Sequence, residues 1–335
     1  MRTYFLAAAV FLGACSGSPE LGVDYDGRRL DVVDMHLHTG HWDDVPEGTQ
    51  RFIGERLPFP IGLDAEGAGE DTLSTENILE QMDQGGIGRA VLFAVYAPRT
   101  VGVTTNETVI ERVEAAPDRL MGFAGVRTDR WSTESSTQLA ALDTALQRPG
   151  MVGVKMAHAH MHVRLDDPAY WGIYEVAARN QVPVYLHTGP SPFPGTAREP
   201  QYTHPAYAEA TIAAFPGVDF ILGHMGYDFI EKEPGALETC IELAKRYDNV
   251  WVEPSAMGSE GSDPEGTNLP LALRRFREEG LVDRVLYGSD GPQAPGFLAD
   301  YLDRTLTAFE KAGYTAAEAE AVLGGNFDAL FGEVR

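Results

Sequence analysis

The sequence predicts a (β/α)₈ barrel, the TIM-barrel form of the α/β class, and three observations carry that expectation. Eight short β-branched or apolar runs, at 30–35, 90–95, 121–126, 151–156, 182–187, 219–224, 250–254 and 284–289, alternate with segments of helical period. Parallel strands need helical crossovers and cover on both faces, which this alternation supplies. The 335 residues, 44% of them hydrophobic, suffice for one barrel domain around one core. A doubly wound open sheet is the alternative that the same alternation allows.

Taken in order, residues 1–14 open with Arg2, run apolar from Tyr4 to Leu12 and end in small residues, the order of a secretory signal. Leu12-Gly13-Ala14-Cys15 resembles a bacterial lipoprotein signal, in which Cys15 is lipidated; the alternative is an ordinary cleaved signal with Cys15 incidental. Ser16 after the cysteine implies, by that resemblance, sorting to the outer membrane, with the chain held at the periplasmic face by a lipid anchor. Residues 15–28 read as a tether and 29–335 as the barrel. Cys240 is the only other cysteine, so no intrachain disulfide framework exists.

The first strand closes on Asp34-Met35-His36-Leu37-His38, and a period of two points Asp34, His36 and His38 together into the barrel. Gly85-Gly86 ends the first helix, Thr104 with Glu107 fits a capping box, and Asp167-Pro168 reads as an N-cap followed by proline at the first helical position. The longest irregular stretches, 39–72, 188–202 and 255–267, each follow a strand, which puts them on the C-terminal face as pocket walls. Trp42, Phe59 and Phe193 lie in or beside these walls, where they either stack on a cyclic substrate or pack. The 50 acidic against 26 basic residues give a net charge of -24, a field that repels nucleic acid. No phosphate-binding glycine loop or nucleophile elbow occurs.

Further strand ends deliver His187, His224 and Asp290 to the same face as His36 and His38. Imidazoles and a carboxylate at one end of a barrel are a metal-ligand set. The run VGVKMAHAHMH, 152–162, offers a second cluster: Lys155 ends the fourth strand, His158 is expected to reach the pocket and bind substrate with Lys155, and His160 and His162 are expected in the loop beside it. Glu253 on the seventh strand either faces inward or is solvated.

VVDMHLH, VPVYLHTG, FILGHMG, VLYGSDGP and VLGGNFDALFG resemble, in order and spacing, the amidohydrolase superfamily, in particular its amidohydrolase-2 branch related to aminocarboxymuconate semialdehyde decarboxylase. The resemblance implies a metal-dependent TIM barrel in which His36, His38, His187 and Asp290 hold one divalent metal and His224 acts as the acid-base or substrate-polarising histidine. Zn²⁺ suits the donors best, and Mn²⁺ or Fe²⁺ also fits. Lys155 is then an amine facing the small-molecule substrate, a partner of Asp34 or Glu253, or a carboxylated bridge to a second metal as in two-metal members. The main expectation is hydrolysis of a lactone, amide or ester-like bond, with Asp290 taking the proton of an activated water. The alternative is non-oxidative decarboxylation of an unsaturated or aromatic acid, for which Arg99, Arg127, Arg164 or Arg198 could bind the carboxylate. A lipid-tethered, non-catalytic metal-binding protein is the third reading. Association into a homo-oligomer is left open.

Overall fold

The structure is a computed structural model that describes residues 20–57 and 61–332. The segment 1–14, Cys15 and Phe59 lie outside the described residues. Just ahead of the barrel, β1 (Val23–Tyr25) and β2 (Arg28–Leu30) pair antiparallel. Asp26 and Gly27 link them, both at positive φ (46° and 73°). Such a two-residue turn matches the twist of a hairpin, and Asp-Gly is a preferred filling. The segment expected as a tether therefore contains a strand. The first barrel strand starts three residues later than expected.

The barrel strands are β3 (Val33–His38), β4 (Arg89–Phe93), β7 (Leu120–Ala124), β8 (Met151–Met156), β9 (Val184–His187), β10 (Phe220–Gly223) and β11 (Val250–Glu253). A second small hairpin, β5 (Val95–Ala97) with β6 (Gly102–Thr104), stands on the C-terminal face. The seven barrel strands form one parallel sheet in the order β11-β10-β9-β8-β7-β4-β3. The eighth run, expected at 284–289, closes the ring without becoming a regular strand. Its bridges are Val252↔Val285 on one side and Leu37↔Gly291 on the other. Leu286 N donates to Val252 O at 2.9 Å and Met35 N to Tyr287 O at 3.1 Å, while Ser289 N turns to the Asp34 carboxylate at 3.0 Å. A side chain thus takes the place of a ladder partner there.

Two cores divide the apolar residues. One fills the barrel with Val33, Met35, Phe93, Phe123, Tyr185, Ile221 and Leu286. The other lies between strands and helices, where Leu37, Ala90, Leu92, Val154, Leu186, Leu222 and Val252 meet helix residues such as Ile78, Met82 and Phe276. Helix ends follow local chemistry. Gly86 ends the helix Thr75–Gly85 in the left-handed conformation, and Asp167 caps the turn Pro168–Tyr170. The cap of the helix Asn106–Ala115 is Thr105 rather than Thr104, whose hydroxyl donates to Thr39 O at 2.7 Å. The stretch 39–72 is more ordered than its sequence suggests, holding the helices Glu47–Gly54 and Ala65–Leu73. No helix among the described residues is long and apolar enough to cross a membrane.

Candidate metal centre

A bulge in β3 sets the centre. Between Asp34 and Leu37 the pairing with β4 shifts, with Asp34 opposite Ala90 and Leu37 opposite Leu92. One extra residue reverses which parity faces inward. Before the bulge Val33 and Met35 fill the barrel; after it Leu37 faces the helices and His36 and His38 face the mouth. The expectation that Asp34, His36 and His38 share one face is corrected accordingly. Asp34 instead accepts from the backbone N–H of His36 and of Ser289, both at 3.0 Å, and ties the bulge to the closing segment. Burial pushes its carboxyl up to about 7.

Asp290 follows the closing segment in the left-handed conformation (φ 66°), which a short polar residue tolerates, and its Oδ1 meets both histidines. The distances are 2.9 Å to His36 Nε2 and 3.0 Å to His38 Nε2, with 3.3 Å between the two nitrogens. Donors sharing one cation at about 2.0–2.1 Å are separated by roughly 2.9–3.4 Å, so the triad has the span of a metal site. Burial alone would raise the Asp290 carboxyl, but the charge of His36 and hydrogen bonds from His36 and His38 hold it well below the usual carboxylate range.

Beneath the triad lies a fully buried network. Ser255 Oγ donates to Glu253 Oε2 at 2.8 Å and Tyr185 Oη donates to the same oxygen at 2.9 Å. Each hydroxyl has then used its proton, so His36 Nδ1, 2.9 Å from Ser255 Oγ and 3.1 Å from Tyr185 Oη, must be the donor to them. His36 Nε2 is left as a lone pair aimed at an anionic oxygen. That contact needs a positive charge, supplied by a second proton or by a metal. His224 Nδ1 lies 3.1 Å from the Ser255 carbonyl, which only accepts, so His224 also presents its Nε2 lone pair. Burial pushes this imidazole down to about 4.

His187 Nε2 is buried without a partner, and its ring packs edge-on to His224 at 4.5 Å between centroids. His187 falls outside the groups of donors within 4.8 Å of one another and reaches the triad's side through His224, whose ring lies 5.3 Å from His36; its free nitrogen makes it the candidate for a fourth ligand. His36, His224 and Glu253 also bring donor atoms within 4.8 Å of one another, as do His36, His38 and Asp290. The first group is already joined by hydrogen bonds through Ser255 and Tyr185, so the second is the better candidate for a cation.

Lys155 Nζ is buried 3.5 Å from His36 Nε2, over the rings of Tyr185 (3.7 Å) and Phe93 (4.3 Å). It makes no salt bridge to Asp34 or Glu253, and burial pushes its amine down to about 7. Of the four arginines named as carboxylate binders, Arg127 and Arg164 are engaged by Asp129 and Asp166 at the surface, and Arg99 and Arg198 are exposed.

Of the three histidines after Lys155, His158 and His160 sit on a helical turn, His158–Met161, and His162 caps it in the left-handed conformation, so a period of two no longer selects a face. His158, expected at the pocket, is sealed and donates Nδ1–H to Val163 O at 3.1 Å. His160, expected in the outer loop, is the one whose ring meets His187, at 5.0 Å. His162 is exposed and bonds Gly195 O at 2.7 Å. Trp42 is packed, and Phe193 stands between Phe52 and His160. Sequence reasoning missed Tyr185, Ser255 and His160. Tyr185 was detectable, because it precedes His187 by two and shares its face.

Barrel and donor set together define an enzyme class, the barrel enzymes that bind a metal at the C-terminal face. A family model described as amidohydrolase matches residues 33–332, and the chain belongs to that family, in its amidohydrolase-2 branch. No curated protein matches the chain at a significant level. Among solved structures, an uncharacterized TIM-barrel protein from Bordetella bronchiseptica is similar with a TM-score of 0.67 and 19% identity, over 90% of this chain and 98% of that one. A probable 2-pyrone-4,6-dicarboxylic acid hydrolase from Acinetobacter baumannii, with citric acid bound, gives 0.62 and 19%, over 90% and 100%. A dihydroxybenzoic acid decarboxylase from a Polaromonas species, with manganese and the inhibitor 2-nitroresorcinol, gives 0.61 and 18%, over 91% and 98%. At these identities the likeness establishes the fold.

Proposed function

We propose that the protein is a metal-dependent, non-oxidative decarboxylase of a planar hydroxylated aromatic or unsaturated acid. This reverses the order of the two reactions expected from sequence. The observation that carries it is Lys155: a buried amine without a carboxylate partner, 3.5 Å from the metal-facing nitrogen of His36. An amine donates hydrogen bonds whether or not it is protonated, so the site offers an acid's oxygens both a cation position and a donor. The manganese-bound decarboxylase of similar fold supports the reading.

His36, His38, His187 and Asp290 would hold one divalent cation, Mn²⁺ or Zn²⁺, which supplies Lewis-acid polarisation of the substrate's oxygens. Lys155 binds and orients the acid. His224 Nε2 accepts from the substrate hydroxyl and fixes the ring. Asp290, which rests as the anion, takes up a proton from solvent as the acid binds and passes it to the ring carbon that bears the carboxyl; the C–C bond then breaks, its electron pair stays with the ring, carbon dioxide leaves and Asp290 is again the anion. One proton replaces one carboxylate, and no oxidant is needed.

A second reading, hydrolysis of a cyclic ester that bears carboxylates, is supported by the Acinetobacter neighbour and uses the same donors, with Asp290 as the base for water. Incubating the Mn²⁺- and Zn²⁺-loaded protein with dihydroxybenzoates and with pyrone carboxylates separates the two. Carbon dioxide release without ring opening supports the decarboxylase, and ring opening without carbon dioxide replaces it. Export and lipidation at Cys15 are likewise proposals, and Cys15→Ala should free the protein from membranes if they hold.

A further inference from the structure

We propose that His160 is a substrate-recognition residue, its imidazole taking an oxygen borne on the ring of the acid. The inference rests on the reading above that the substrate is a planar acid. His160 is 7% exposed, its Nδ1 has no partner, and its ring makes no hydrogen bond with the described residues. A neutral imidazole always carries one N–H. In His158 that hydrogen goes to Val163 O, so the bare nitrogen left over is only an acceptor. His160 has found no acceptor for its hydrogen.

The ring is nevertheless held in place. His160 N donates to Ala157 O at 2.9 Å, Thr100 Oγ1 donates to His160 O at 3.3 Å, and Ala197 N donates to Ala159 O at 3.0 Å, so chain segments following three different strands converge on one short turn. The imidazole packs edge-on to His187, with Phe193 6.0 Å away between centroids on the loop after β9. A fixed polar ring, orphaned in a buried position against a proposed metal ligand and next to an aromatic side chain, suits a flat guest with an oxygen substituent. The partner it lacks is a group that enters the site.

Two variants isolate the hydrogen bond from the packing. His160→Phe keeps a ring against His187 but has no hydrogen-bonding atom, whereas His160→Asn places an amide near Nδ1 and should restore the contact. Both are loaded with Mn²⁺, assayed for metal content and titrated with 2-nitroresorcinol. Full metal content in both, with binding weakened about tenfold or more in His160→Phe and largely recovered in His160→Asn, is the expected result. Loss of metal from His160→Phe would make His160 a ligand and overturn the assignment. So would unchanged binding by that variant, which would leave only packing. A wild-type protein that fails to bind 2-nitroresorcinol would fail the substrate class itself, and this assignment with it.

Discussion

Two layers of the site differ in how their polar atoms are satisfied. In the deep layer, Tyr185, Glu253, Ser255, His36 Nδ1 and His224 Nδ1 bond one another and exclude solvent. In the outer layer, His36 Nε2, His38 Nε2 and Asp290 Oδ1 crowd together, while His187 Nε2 and His160 Nδ1 have no partner. The difference shows a division of labour. The deep layer decides which nitrogen of His36 and of His224 carries the proton, and the outer layer presents lone pairs to groups the chain does not itself contain.

The largest expected effects come from emptying the outer layer. His36→Ala removes an atom that belongs to both layers and should lose most of its metal and its turnover, as metal analysis beside an activity assay will read. Metal retained at full occupancy would mean that the cation sits elsewhere. Next comes Asp290→Asn, which keeps an oxygen donor but cannot carry the proton. Metal should persist, more weakly, while the rate falls by about 10²–10⁴. His224→Asn should lose rate to a similar degree with metal content unchanged; loss of metal there would move His224 into the ligand set.

Disturbing the deep layer should act more gently and through the metal. Ser255→Ala takes one partner from His36 Nδ1 and one from Glu253, leaving His36 Nδ1 with Tyr185 Oη and His224 Nδ1 with the backbone carbonyl of residue 255, and metal affinity should drop roughly 10–100-fold, as for other partners of metal-binding histidines. Competition with a chelator measures it, and unaltered affinity would separate the layers. Gly223→Ala tests the same layer sterically. Gly223 pairs in register with both His187 and Glu253, and a Cβ there would lie 1.8 Å from Tyr185 Oη. The tyrosine must move, at a cost of about 1–3 kcal/mol for overpacking, visible as a lower melting temperature.

The outer layer was far more legible in the sequence than the deep one. His36, His38, His187, His224 and Asp290 each sit at the end of a run whose alternation could be read, so their meeting at one face followed from strand order. Ser255 and Glu253 could not be placed, because their partners are set by the register of β9, β10 and β11 and by room that Gly223 leaves. The bulge in β3 was illegible for a related reason: no residue between Asp34 and Leu37 announces it, yet it switches the inward parity. Asp26-Gly27 was a readable hairpin signal, overlooked because its strands are only three residues long.

The smallest effect on function is expected at His158, and it checks whether spacing alone can mark a site. His158, His160 and His162 repeat at every second position as His36 and His38 do, but on a helical turn and its cap that repeat scatters them to different sides. The carbonyl of Val163 fixes the His158 proton on Nδ1, and the ring is sealed in the core beneath the turn. His158→Ala should therefore cost about 1–3 kcal/mol of stability through a small cavity and a lost hydrogen bond, with metal content and kcat/KM unchanged. A His158→Ala protein that melts like the wild type yet no longer binds 2-nitroresorcinol would show that the pocket reads His158, and that the turn has been assigned the wrong histidine.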